Sequence, residues 1–110
     1  MAFDPRQHKF ANNSWGRLSV DVGTGDSFLV IATGAGAIWP AISPGEIFLL
    51  KAVDPTSGSS EIMICNGISG ASFTVERGQE GTTPKVLTAG SFVQHCVTAG
   101  TLEWFEAQAV

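Results

Sequence analysis

Three strand-length apolar runs follow one another with only turn chemistry between them, and this limits the fold more than anything else in the chain. Glu46-Ile47-Phe48-Leu49-Leu50-Lys51-Ala52-Val53-Asp54 reads as a long strand. It runs into Pro55-Thr56-Ser57-Gly58-Ser59-Ser60. There Pro presets φ, Gly supplies positive φ, and Asp54 and the serines bond locally. Glu61–Asn66 is the return strand, Gly67-Ile68-Ser69-Gly70 a short turn, and Ala71–Glu76 the next strand. No connection has room for a crossover helix, so these strands pair as an antiparallel meander. The expected class is all-β: a compact antiparallel β-sandwich or small barrel of about six or seven strands, with a short C-terminal helix.

The flanking segments are read the same way. In Arg17-Leu18-Ser19-Val20-Asp21-Val22 polar and apolar residues alternate, which puts Leu18, Val20 and Val22 on one buried face. Gly23–Ser27 is a turn, and Phe28–Ala32 is continuously apolar, as a strand buried on both faces is. Thr33–Pro44 is a long connection carrying Ile38, Trp39 and Ile42. Ser91–Val97 is a further strand. From Thr101 to Ala109 the pattern turns helical, with Thr101 as expected N-cap and Glu103 and Glu106 near the positive end. Leu102, Phe105 and Ala109 would share the packed face, leaving Trp104 to point elsewhere, into a partner.

Residues 1–15 have neither period and read as an N-terminal arm to a single β domain over 16–110. The arm holds Phe3, Phe10 and Trp15. Either it lies along its own domain or it docks on a neighbouring subunit. Its polar start, Asp4-Pro5-Arg6-Gln7-His8-Lys9, predicts no secretory leader. The longest apolar run, Ile47–Leu50, is too short to span a membrane.

The charged fraction is 15% against 44% apolar. A surface that poor in charge is either covered by small polar residues or hidden against other subunits. The six Lys and Arg residues are scattered and the net charge is −4, so no basic face for nucleic acid is expected. Cys65 and Cys96 read as core thiols; a disulfide requires their strands to be neighbours. His95 and Cys96 are consecutive in a strand and face opposite ways, so they share no metal and form no nucleophile–base pair. Asp21 and Asp26 flank a turn and read as its caps. Gly23-Thr24-Gly25 and Gly34-Ala35-Gly36 lack the rest of a phosphate loop. No carboxylate pair or triad assembles, and the chain is expected to be neither an enzyme nor the holder of a cofactor or metal.

The densest hydrogen-bonding chemistry is Arg77-Gly78-Gln79-Glu80-Gly81-Thr82-Thr83. Gly78 and Gly81 allow positive φ, and Glu80 is placed to accept from Arg77 across the loop. Glu76 and Glu80 oppose an anion site there. The expectation is a structural loop, formed by Arg77, Gly78, Glu80 and Gly81, that clamps the strands on either side of it.

This run also carries a resemblance. Glu61-Ile62-Met63-Ile64, Phe73-Thr74-Val75-Glu76-Arg77-Gly78-Gln79-Glu80-Gly81-Thr82-Thr83, Ala89-Gly90-Ser91-Phe92-Val93 and Thr98-Ala99-Gly100-Thr101-Leu102 together resemble a small β module of tailed-bacteriophage virion structural proteins. Such modules occur in tail-fibre and baseplate-associated proteins. Asn12-Asn13 and Pro44-Gly45-Glu46-Ile47-Phe48 fit the same layout. Pro84-Lys85-Val86-Leu87 departs from it, where an Ala-x-x-His type of sequence is common in the family. Relatives often run on into a longer fibre, so this chain is expected to carry no receptor-binding region of its own.

The resemblance implies a non-enzymatic virion structural protein, made in the host cytoplasm and assembled in multiple copies as a trimer or ring with other virion proteins. A tail component, fibre-associated or adaptor, fits best; a capsid decoration protein is the alternative. The candidate contact residues are Phe3, Phe10, Trp15, Trp39, Trp104 and Phe105. A small-ligand or carbohydrate-binding module is the reading of another class; it requires Trp15, Trp39 and Trp104 to gather on one concave surface.

Overall fold

In the computed structural model, which describes residues 5–11, 14–32, 39–54 and 57–108, the expected hairpins form around one central strand. The elements are β1 (Gln7–His8), β2 (Trp15–Arg17), β3 (Phe28–Val30), β4 (Glu46–Val53), β5 (Ser60–Ser69), β6 (Ser72–Gln79), β7 (Phe92–His95) and α1 (Ala99–Gln108). Seven strands make one curled sheet in the order β2-β7-β4-β5-β6-β3, with β1 added to the start of β4. All pairs are antiparallel except β1–β4, which is parallel through Gln7–Glu46 and His8–Ile47.

The sheet is a half-barrel. A right-handed twist over six strands brings its two edges round to each other. They are tied by the Leu18–Ile31 bridge, where Ser19 N donates to the Val30 carbonyl and Ala32 N to the Arg17 carbonyl. Alternation then separates two faces. Phe48, Leu50, Ala52, Met63, Cys65, Phe73, Val75 and Val93 point inward to the main core with Leu18, Val22, Leu29, Ile31 and Leu87. Ile47, Leu49 and Ile64 point the other way and form a smaller cluster with Ile62 and Cys96. Cys65 and Cys96 therefore belong to opposite faces, and both are free thiols.

Several expectations change. Val20 is 48% exposed, while Leu18 and Val22 are buried. The chain bends at Ser19-Val20 and resumes pairing at Val22–Leu87, so alternation is interrupted between the two buried residues. In β3 only Leu29 faces inward, and Phe28 is 56% exposed, because this is an edge strand with one covered face. Gly67-Ile68-Ser69 belongs to β5, and the turn shrinks to Gly70-Ala71. β7 does not follow β6 in the sheet. It pairs with β4 and β2, so the connection after β6 joins strands at separate places instead of clamping two neighbours.

The arm lies on its own domain. Lys9 N donates to the Ile47 carbonyl, and the Arg6 guanidinium pairs with Glu76 at 2.7 and 3.0 Å. His8 is buried and stacks on Trp104 with ring centroids 4.7 Å apart. The residues expected to be structureless thus supply β1, and Trp15 is already the first residue of β2.

Candidate functional site

Two charged residues sit where alternation places core side chains. Glu61 is two residues before Met63 and four before Cys65, and Arg77 is two after Val75. Both therefore start on the inward face. The β5–β6 register slips between Ile62–Gln79 and Ile64–Glu76, setting Arg77 and Gly78 opposite Met63 alone. This is a β-bulge, and Gly78 at φ +61° provides its left-handed residue. A Cβ at Gly78 would also lie 2.8 Å from Pro84 Cδ. The three residues Arg77, Gly78 and Gln79 are thus the end of β6 and not a loop.

The bulge aims Arg77 at Glu61. Nε donates to Glu61 Oε2 at 2.8 Å and Nη2 to Oε1 at 2.9 Å, a two-pronged carboxylate–guanidinium pair. Nη1 donates to the Gly23 and Asp26 carbonyls at 2.7 and 2.8 Å, and Nη2 also to Lys85 O at 2.7 Å. All five guanidinium donors are occupied. Glu61 additionally accepts from the Gly78 and Lys85 amides at 2.8 and 2.9 Å. Its side chain is fully buried and that of Arg77 nearly so. Burial pushes the Glu61 carboxyl up, yet the Arg77 fork, the two amides and the guanidinium charge outweigh it and hold its pKa below the ordinary 4.5. The pair ties β5, β6, the 23–26 turn and the 85 strap together. With every donor engaged, nothing remains to bind an anion.

Glu80 is not Arg77's partner. It takes φ +53°, the one non-glycine among the described residues with positive φ, and turns its carboxylate to the start of α1. Oε2 accepts from Thr98 Oγ1 at 2.5 Å and Oε1 from Gly100 N at 3.0 Å. Gly100 makes room for this: a Cβ there would meet Glu80 Oε2 at 2.8 Å. The helix N-cap is Thr98, not Thr101. Thr101 N donates to Thr98 Oγ1 and Thr98 N to Thr101 Oγ1, a reciprocal cap. Glu80 supplies the negative charge that the first turn lacks.

Beside this junction lies an open cleft of about 490 Å³ lined by Lys51, Gln94, Cys96 and Glu80, among others. Burial first, then the Glu80 charge, pushes the Cys96 thiol up to about 11, against a smaller opposing effect of Lys51. A thiol held protonated in this way is a poor nucleophile. His95 donates from Nδ1 to the Leu49 carbonyl at 2.9 Å, since a carbonyl only accepts. Asp26 caps its turn by accepting from Gly23 N at 2.7 Å, and Asp21 accepts from Ala89 N at 2.7 Å. Among the described residues no group of three or more His, Cys, Asp or Glu is placed to hold a metal ion. Nor is any helix among them long and apolar enough to cross a membrane.

The aromatic contact candidates divide. Phe3 lies outside the described residues. Trp104 is only 6% exposed, under His8. Trp39 is half-buried against the core, edge-on to Phe73 at 5.0 Å. Phe10, Trp15 and Phe105 stay at the surface. Trp15 stacks on Phe92 at 5.6 Å, and Phe10 on Phe105 at 5.4 Å. None of the three indoles is in ring contact with another, and the burial of Trp104 removes it from any surface that could stack on a sugar. Glu61 and Thr98 are not among the site residues expected from sequence. Glu61 was detectable there, as a carboxylate in phase with Met63 and Cys65. No protein-family model and no curated protein matches the chain.

Proposed function

We propose that this chain is a non-enzymatic structural protein of a tailed-bacteriophage virion, present in multiple copies as a trimer or ring, and a tail component that acts as a fibre-associated or adaptor protein. The observation that carries the proposal is the Arg-Gly-Gln-Glu-Gly-Thr-Thr run, for which the resemblance to phage modules is most specific. Arg77 and Glu80 in it are consumed by internal bonds that hold a half-barrel and seat a helix. A motif spent on scaffold leaves contact to other surfaces, and Phe10, Trp15 and Phe105 supply aromatic area there. The protonated Cys96 and the engaged His95 and Asp26 fit the same non-catalytic role.

Mass spectrometry of purified virions, followed by immunogold labelling, tests this. The protein should be found in the particle and the gold on the tail. Gold on the head would replace the tail role by capsid decoration, and absence from virions would end the proposal.

A further inference from the structure

Helix α1 is packed the opposite way round from its sequence pattern. A surface helix normally buries its larger apolar residues. Here Gly100, Thr101 and Trp104 face the domain, while Leu102 and Phe105 are 55% and 46% exposed. Leu102 and Phe105 are three apart and share a side of the helix. Phe10, 41% exposed, stacks on Phe105 and extends the apolar area onto the arm. Beneath the strip His8 and Trp104 join arm to helix, and the inner side of Phe10 touches His95 and Trp104.

On the helix the border of the strip carries an exposed carboxylate: Glu106 is four residues from Leu102 on the same side. The last turn has no basic residue to offset the negative end of the helix dipole. Lys9, next to Phe10, is directed to Glu46 at 3.8 Å. Such a face repels an anionic lipid surface and, copy against copy, itself. It fits an apolar anchor flanked by cations.

We propose that the outer face of α1, with Phe10, Leu102 and Phe105, is a docking surface for a segment of a different protein that carries an apolar or aromatic anchor flanked by lysine or arginine. This rests on the assembly role proposed above, to which it adds the partner's chemistry.

The test places a photo-crosslinking amino acid at position 102 and, as a control for random collision, at the equally exposed position 86. Irradiation is done in the cells where the protein is made. Position 102 should give a discrete adduct with another chain, and the linked peptide should hold Lys or Arg within a few residues of the crosslink. Glu106→Lys should lower the yield roughly two- to fivefold, the range of an exposed ion pair. Four results would overturn the proposal: an adduct with a second copy of the chain, no adduct, an equally strong adduct from position 86, or a yield indifferent to Glu106→Lys. The two readings fail separately. A specific adduct from a protein absent from virions removes the virion role alone; a protein present in virions without an adduct removes the docking surface alone.

Discussion

Glu61 is the fully buried carboxylate on which Arg77, Gly78 and Lys85 converge, so its loss should reach beyond its own strand. Removing one partner of a buried, hydrogen-bonded ion pair costs about 3–5 kcal/mol, mostly from the charge left behind. Glu61→Ala should lower the urea midpoint at pH 7 accordingly. The pH dependence has a definite sign. The folded-state pKa of Glu61 lies below its ordinary 4.5, so its contribution is complete above that value and is lost as pH falls through the folded pKa. Wild-type stability should therefore drop below pH 4.5, and Glu61→Gln, weaker at neutral pH, should drop less over the same range. Equal slopes in acid urea titrations would remove Glu61 from the account. Gly78 and Gly81 make a paired test. At Gly81, φ is +82° with open space around the missing Cβ, so Gly81→Ala carries only backbone strain of about 1–2 kcal/mol. At Gly78 the same strain is joined by the Pro84 contact, so Gly78→Ala should destabilise distinctly more. The reverse order in thermal melts would mean that the bulge is not built as described.

At the scale of elements, α1 is held by its first turn and by Trp104. A helix of ten residues is marginal alone. Thr98→Ala removes the cap and one Glu80 bond, and should cost about 1 kcal/mol. The loss should be confined to the helix: faster amide exchange over 99–104, with β4–β6 unchanged. Uniform loss of protection would show the helix and sheet to be one cooperative unit. The β4–β5–β6 meander was legible from sequence because period-two alternation and turn chemistry agree over its whole length. The bend at Ser19-Val20 was not, since nothing in that alternating run marks where pairing passes from Ile31 to Leu87. The helix face was misread for a related reason. Leu102 and Phe105 satisfy the helical spacing, but Trp104 alone is positioned to meet His8, and one large buried indole outweighs the pattern.

For the whole molecule, the arm is a structural part of its own domain. Deleting residues 2–12 would remove β1, the Arg6–Glu76 pair and the cover over Trp104. The truncated protein should be less stable by several kcal/mol, by the apolar area uncovered, and its tryptophan emission should shift to the red. Unchanged stability and emission would mean that the arm is dispensable to the fold and available to a neighbour. The half-barrel also explains why the run after β6 does not clamp adjacent strands. Curling brings β3 to β6, so the chain must cross to β4 to find an open edge for β7.

From sequence alone the class and the central hairpins were determined. These depend on alternation, on turn residues and on local conformational freedom, all of which act within a few positions of the chain. Tertiary structure decided the partners. Arg77 meets Glu61, sixteen residues back, and Glu80 meets Thr98, eighteen ahead, because sheet curvature and a bulge bring those atoms together. It also decided which aromatics are buried, since Trp104 and Phe105 are neighbours in sequence and the docking of the helix turns only Trp104 inward, under His8.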